Sequence, residues 1–185
     1  GLVSGSCFAD LGNFVWCVDR DKQKIDMLNN RQIPIFEPGL KDLINKNHSS
    51  GRLKFTTNLN MAVRNSDIIF ICVGTPTAKN NNSVDLQYVF KVANEIGRYI
   101  NKFKIIVTKS TVPVTTGDKI EKIISKKRSK KFFEVVSNPE FLREGEAIRD
   151  FRFPDRIVVG CNNNIAKKKL ESLYAPIIKK GAIFF

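Results

Sequence analysis

Two carboxylates four residues apart, Glu140 and Glu144, stand in the stretch Ser137-Asn138-Pro139-Glu140-Phe141-Leu142-Arg143-Glu144-Gly145. A carboxylate held beside a substrate can take a proton from an alcohol or from an attacking water, and burial raises its pKa toward neutrality for that work. A companion stretch, Lys109-Ser110-Thr111-Val112-Pro113, lies upstream. Each follows an apolar run that reads as a buried strand, 105–108 before the companion and 132–136 before the glutamates. Ligands of open α/β sheets bind at the carboxyl ends of their strands. Pro139 can open a helix, because its missing N–H would be an orphan there. A helix from that point would put both glutamates on one face.

The elements that must position these groups alternate along the chain. Residues 1–12 read as a helix ended by Gly12, 14–18 as a strand with Asp19 at its end, and 21–30 as a helix carrying Ile25 and Leu28. A Pro-punctuated loop, Ile33-Pro34-Ile35-Phe36-Glu37-Pro38-Gly39, leads into a short helix from Leu40. Then come a strand at 53–56, a helix at 59–64 and an apolar strand at 67–73 ending in Gly74-Thr75-Pro76-Thr77. Unbroken apolar runs of this kind are buried on both faces of a parallel sheet. The helix expected at 85–100 has its stripe in Val89, Val92, Ala93, Ile96 and Ile100, at 3.6 spacing. A helix at 116–126, a strand at 155–160, a helix at 165–174 and a terminal apolar run at 182–185 complete the series. Such alternation predicts an α/β fold with a doubly wound, mainly parallel sheet.

Composition narrows the function classes. The chain has 185 residues, 42% hydrophobic and 26% charged, the balance of a soluble globular domain. No apolar run approaches the roughly 20 residues of a membrane span, so no membrane partner is expected. The four cysteines lack metal or disulfide spacing and read as reduced thiols in a cytoplasmic protein; no metal is expected. The formal charge of +13 raises nucleic acid as a partner. The lysines are dispersed, however, and the densest run, 126–131, falls between a helix and a strand, where lysine complements the helix dipole. No nucleic acid is therefore expected; the positive field suits anionic nucleotides.

The front of the chain has a dinucleotide signature with parts missing. In dinucleotide folds a first strand feeds a Gly-rich turn, and the next helix points its N-terminus at the pyrophosphate. Here the chain enters that helix directly from Gly1, with Asp19 where a ribose-binding acid would stand. Gly1 then reads as the last glycine of a G-x-G-x-x-G turn, and the first strand is expected to be absent. An Asp at a strand end is also a common turn former.

Taken in order, Gly1-Leu2-Val3-Ser4-Gly5, Val18-Asp19, Pro34-Ile35-Phe36-Glu37-Pro38-Gly39-Leu40, Val73-Gly74-Thr75-Pro76-Thr77, Lys109-Ser110-Thr111-Val112-Pro113-Val114, Asn138-Pro139-Glu140-Phe141-Leu142-Arg143-Glu144-Gly145 and Pro154-Asp155-Arg156-Ile157-Val158-Val159-Gly160 carry a resemblance. The chain resembles the UDP-glucose/GDP-mannose dehydrogenase family over nearly its whole length, most closely the UDP-glucose-oxidising members of bacterial type. The resemblance implies a Rossmann-like NAD-binding domain over residues 1–185, with the connecting helix and the UDP-sugar-binding domain absent. It implies oxidation of a nucleotide sugar's C6 alcohol to the acid by NAD, through a cysteine-linked intermediate. The alternative substrates are GDP-mannose and UDP-N-acetylmannosamine; a non-catalytic basic binding module is the other class. A homo-oligomer is implied for the full-length protein.

By the same resemblance Gly1, Asp19, Lys24, Thr75, Thr111 and Glu144 bind the cofactor. Asp19 takes the adenosine ribose with Lys24 nearby, while Arg20 complicates the preference for NAD over NADP. Glu140, Glu144 and Thr111 are the implied catalytic residues, and Glu140, Phe141, Leu142, Arg143 and Glu144 face the substrate. Thr75 and Thr111 also suit helix N-caps or turns. Glu144 also suits a surface ion pair with Arg143 or Arg149, and Arg143 a structural pairing. Thr115, where a glycine is usual, is expected to crowd the backbone. None of Cys7, Cys17, Cys72 and Cys161 lies in the context of the family's nucleophile, so the chain alone is expected to be inactive. Without the buried side chains of a central first strand, the 185 residues alone are also expected to fold poorly.

Overall fold

A computed structural model describes residues 1–77 and 84–185. The chain divides into two compact units: residues 1–62, 141–156 and 175–183, and residues 63–140, 157–174 and 184–185.

In the first unit, α1 (Leu2–Asp10) precedes β1 (Val15–Val18), α2 (Lys22–Asn29), α3 (Leu40–Ser49) and β2 (Leu53–Thr56). β1 and β2 are parallel, in register from Val15 opposite Leu53 to Val18 opposite Thr56. The predicted faces are the buried ones: Ile25 and Leu28 of α2 join Ala9, Leu40, Ile44, Leu53 and Phe55 in one apolar core. α2 starts where it does because the Asp21 side chain accepts the Lys24 amide, a helix N-cap. α1 lies very close to β1. A Cβ on Gly5 would sit 2.6 Å from Cys17 Sγ, so any larger residue there requires the Cys17 side chain to shift. Asp10, at the end of α1, accepts Lys46 at 2.8 Å and Arg152 at 2.9 Å. Arg152 belongs to α7 (Ala147–Arg152), whose Phe151 ring packs edge-on to Phe8 at 4.9 Å.

The chain enters the second unit within α4 (Leu59–Asn65). There β3 (Ile68–Ile71), β4 (Lys104–Thr108) and β5 (Phe133–Ser137) form a parallel ladder in that order, with Ile68 opposite Ile105 and Ile105 opposite Glu134. All five residues of β4 are buried, as its apolar run predicts. Lys104, which leads the strand, is charged, and its ammonium donates hydrogen bonds to the carbonyls of Arg64 and Ser66. α5 (Gln87–Tyr99) buries Val89, Ala93 and Ile96 of the predicted stripe, and α6 (Thr116–Ser125) buries Ile120 and Ile124. A single 3-10 turn at Lys130–Phe132 delivers the chain to β5. Ala166 and Leu170 of α8 (Asn164–Ile178) complete a core with Ile105, Val107 and Val136.

The α/β expectation with parallel strands holds in both units, and three local expectations change. No helix opens at Pro139: residues 138–143 are irregular, 144–146 form a turn, and the next helix is α7. The strand expected at 155–160 shrinks to β6 (Arg156–Ile157), which pairs with β7 (Ile183–Phe184). Past Ile157 the Val159 amide still donates to Phe185 at 2.9 Å, and Gly160 exchanges two backbone hydrogen bonds with Ser137, an antiparallel bridge. Finally, Thr115 stands where the backbone does not require glycine. It sits at φ −78°, ψ 1°, a conformation open to any residue, and is the N-cap residue of α6.

Candidate functional site

In the first unit, Asp19 follows β1 directly, its amide donating to the Thr56 carbonyl at 3.3 Å. Its carboxylate accepts the Asp21 amide at 3.1 Å and the Lys24 ammonium at 3.0 Å. Partial burial opposes the charge, but the Asp21 amide and then Lys24 outweigh it and hold the carboxyl below its ordinary pKa. The structure therefore brings Asp19 and Lys24 together and keeps the acid ionised. Gly1 is the N-cap residue of α1, whose first turn contains no acidic side chain. The positive pole of that helix is uncompensated by its own residues, which suits a phosphate.

The segment Phe141-Leu142-Arg143-Glu144-Gly145 belongs to the same unit. Phe141 is mostly exposed, with the Arg156 guanidinium 5.9 Å from its ring centre. Leu142 is half-buried and Glu144 is exposed. Arg143 grips Asp150 three ways: its amide at 2.9 Å, Nε at 3.0 Å and a terminal nitrogen at 2.7 Å all donate to that carboxylate. These bonds hold the Asp150 carboxyl down at about 2. Arg149 donates to Glu146 instead. Both arginines weighed as ion-pair partners of Glu144 are thus engaged with other acids.

In the second unit the carboxyl ends of the three parallel strands are stitched together. The Ser110 hydroxyl donates to the Val73 carbonyl at 2.9 Å, which ties the loop bearing Thr111 to the one bearing Thr75. The Asn138 amide donates to Thr108 at 2.9 Å and the Glu140 amide to Lys109 at 3.3 Å. Glu140 is thereby tied to a residue two positions before Thr111. Neither threonine caps a helix: α5 begins from Leu86 and α6 from Thr115, which removes that alternative for Thr75 and Thr111. Thr111 is exposed and Thr75 half-buried.

Three supporting residues escape sequence reasoning. Lys109 is buried, with Nζ 3.9 Å from a Glu140 oxygen; burial lowers its pKa and Glu140 pulls the other way. Asn138 is also buried: its side-chain amide donates to Val158 at 2.8 Å and its oxygen accepts the Tyr174 hydroxyl at 2.6 Å. Burial pushes the Tyr174 phenol up, so it stays a protonated donor. Tyr174 was legible only as the third member of the stripe Ala166, Leu170, Tyr174. Burial likewise raises the Cys7 thiol to about 12 and raises Cys72, leaving both as unreactive thiols.

Residues 1–178 match the model of the UDP-glucose/GDP-mannose dehydrogenase family, NAD binding domain. A UDP-glucose 6-dehydrogenase of Rhizobium meliloti is 51% identical over 96% of this chain and 41% of its own length. One from Bacillus subtilis is 50% identical over 97% of this chain and 40% of its own. The chain thus spans about two fifths of the relatives it matches. A UDP-glucose dehydrogenase structure from Pyrobaculum islandicum superposes with TM-score 0.94 at 37% identity, over all of this chain and 43% of that one. A ternary-complex structure of GDP-mannose dehydrogenase from Pseudomonas aeruginosa gives 0.93 at 38%, with the same coverages of 100% and 43%. The chain belongs to the UDP-glucose/GDP-mannose dehydrogenase family and carries its NAD binding domain.

Proposed function

We propose that this chain supplies the NAD site and part of the catalytic site of a dehydrogenase that oxidises UDP-glucose to UDP-glucuronate. The observation that carries the reading is the stitching of Glu140 onto the end of β4, beside Lys109 and two residues from Thr111. The names of the most similar relatives support the substrate. The overall change converts a CH2OH and one water to a carboxylate, releasing two hydrides and three protons. Bound NAD supplies the hydride acceptor, one molecule for each of the two oxidations. The residues present fit it: an ionised acid follows β1, a helix N-terminus lacks its own acid, and polar loops close β3 and β4.

Within this reading Asp19 and Lys24 bind the adenosine ribose and the α1 N-terminus, entered from Gly1, receives the pyrophosphate. Thr75 and Thr111 contact the cofactor. Glu140 accepts the proton that the alcohol loses. Glu144, with Thr111, orients water and cofactor, while Phe141, Leu142 and Arg143 contact the sugar nucleotide. Among the described residues no helix is long and apolar enough to cross a membrane. We place the full-length protein in the cytoplasm as a homo-oligomer.

The test is NADH formation by the full-length protein with UDP-glucose, GDP-mannose and UDP-N-acetylmannosamine in separate reactions. Two NADH formed per UDP-glucose, with little from the others, is the expected result. Turnover of another sugar nucleotide alone would reassign the substrate. Salt-sensitive RNA retention without NAD binding would replace the enzyme by a basic binding module.

A further inference from the structure

We propose that Glu37 is the positioning residue of Glu144: from a loop far away in sequence it fixes the turn on which that carboxylate stands. The inference rests on the reading of Glu144 as an active-site group. Glu37 is only 9% exposed, in the Pro-punctuated loop before α3. Its two oxygens accept the Gly145 amide at 2.9 Å and the Ile148 amide at 3.4 Å, across 108 and 111 positions of sequence. A buried carboxylate is costly unless hydrogen-bonded, so a chain that buries one on backbone amides spends stability to place those amides.

The two distances say what is being placed. Capping α7 needs only the bond to Ile148, which lies inside that helix. The shorter bond goes to Gly145, outside the helix and next to Glu144. Gly145 holds φ at +82°, a left-handed conformation that reverses the chain there. On the other side of Glu144, the Arg143 amide is held at 2.9 Å by Asp150. Glu144 therefore hangs between two peptide groups, each anchored by a carboxylate from elsewhere in the first unit. Its side chain is exposed, and its direction is set by the backbone that Glu37 and Asp150 fix.

The experiment uses the full-length protein. Glu37→Ala is expected to lower kcat about 10- to 100-fold, the cost of a displaced catalytic group, while affinity for AMP, which probes only the Asp19 and Lys24 end of the cofactor site, is unchanged. Glu37→Gln keeps one acceptor oxygen for Gly145 and is expected to restore most of kcat. A role in folding alone would move AMP affinity together with kcat, and that result overturns the proposal. In a Glu144→Ala background, Glu37→Ala is expected to have no further effect on kcat. If Glu144→Ala lowers kcat and the Glu37→Ala loss persists on top of it, the positioning role falls and the role of Glu144 stands. If Glu144→Ala leaves kcat intact, the assignment of Glu144 falls and the positioning role with it. Hydrogen exchange covers the case in which Glu37→Ala does not fold. The Gly145 amide of the unaltered protein is expected to be protected although its residue is exposed, and rapid exchange there overturns the proposal.

Discussion

The Lys109–Glu140 pair is the most quantitative test of the second unit. Its N–O separation of 3.9 Å gives an attraction of about 4 kcal/mol at an effective dielectric of 20. The Lys109 side chain is 5% exposed and that of Glu140 31%, so solvent screens one end only. A coupling of roughly 2 kcal/mol follows, between the ~0–1 kcal/mol of exposed pairs and the ~3–5 kcal/mol lost on breaking fully buried ones. The asymmetry of burial makes the single substitutions unequal. Glu140→Gln strands a buried ammonium and is expected to cost more than Lys109→Met, which leaves a carboxylate with access to water. The double variant is expected to be more stable than the sum of the two predicts, by that same ~2 kcal/mol. Because burial sets the folded pKa of Lys109 below its unfolded value, the folded state holds fewer protons across that interval. Stability therefore rises with pH there, and Glu140→Gln should steepen the rise. Denaturant unfolding of the four full-length proteins measures all of this. Additivity within about 0.5 kcal/mol would mean the two groups do not feel each other, and the electrostatic account of this strand end would be wrong.

Three further outcomes are expected. Asp19→Ala should weaken NAD+ binding about 10-fold, the loss of roughly 1.5 kcal/mol of charge-assisted hydrogen bonding, read by NADH fluorescence titration. The Arg143–Asp150 clamp lowers the Asp150 pKa from 3.8 to about 2, so its contribution is complete above about 4 and is lost as pH falls toward 2. Asp150→Asn should flatten that part of the acid-unfolding curve and leave neutral-pH titration unchanged. Tyr174→Phe removes the 2.6 Å donor to Asn138 and should lower stability by about 1–2 kcal/mol in thermal or urea unfolding.

Period and punctuation made most of the framework readable in advance. Ile25 and Leu28, the stripe of α5, and the unbroken apolar run of β4 each encode a buried face locally, and each is buried save the half-buried Val92. Asp19 was legible because a strand end followed by an Asp-capped helix is a local pattern. The glutamate segment was not, because its conformation is decided at long range. Pro139 permits a helix, but the Gly145 amide is claimed by Glu37 and the Arg143 amide by Asp150, so the turn wins. Propensity is a weak prior against fixed tertiary partners of this kind. The same holds for 155–160, where Gly160 pairs with Ser137, a partner distant in sequence. Lys109 and Asn138 stood inside quoted motifs, yet their burial follows from how the ends of β4 and β5 meet, which no spacing within either motif records.

The contact between residue 5 and Cys17 has a consequence for anyone diversifying this chain. With 2.6 Å between an added carbon and the sulfur, the spacing of helix and strand is gauged by a single hydrogen atom. Randomising codon 5 and selecting for folded protein should enrich glycine, since every other residue requires the Cys17 sulfur to move. Serine at position 17, whose oxygen is smaller than sulfur, is the partner change through which alanine at position 5 would first be tolerated.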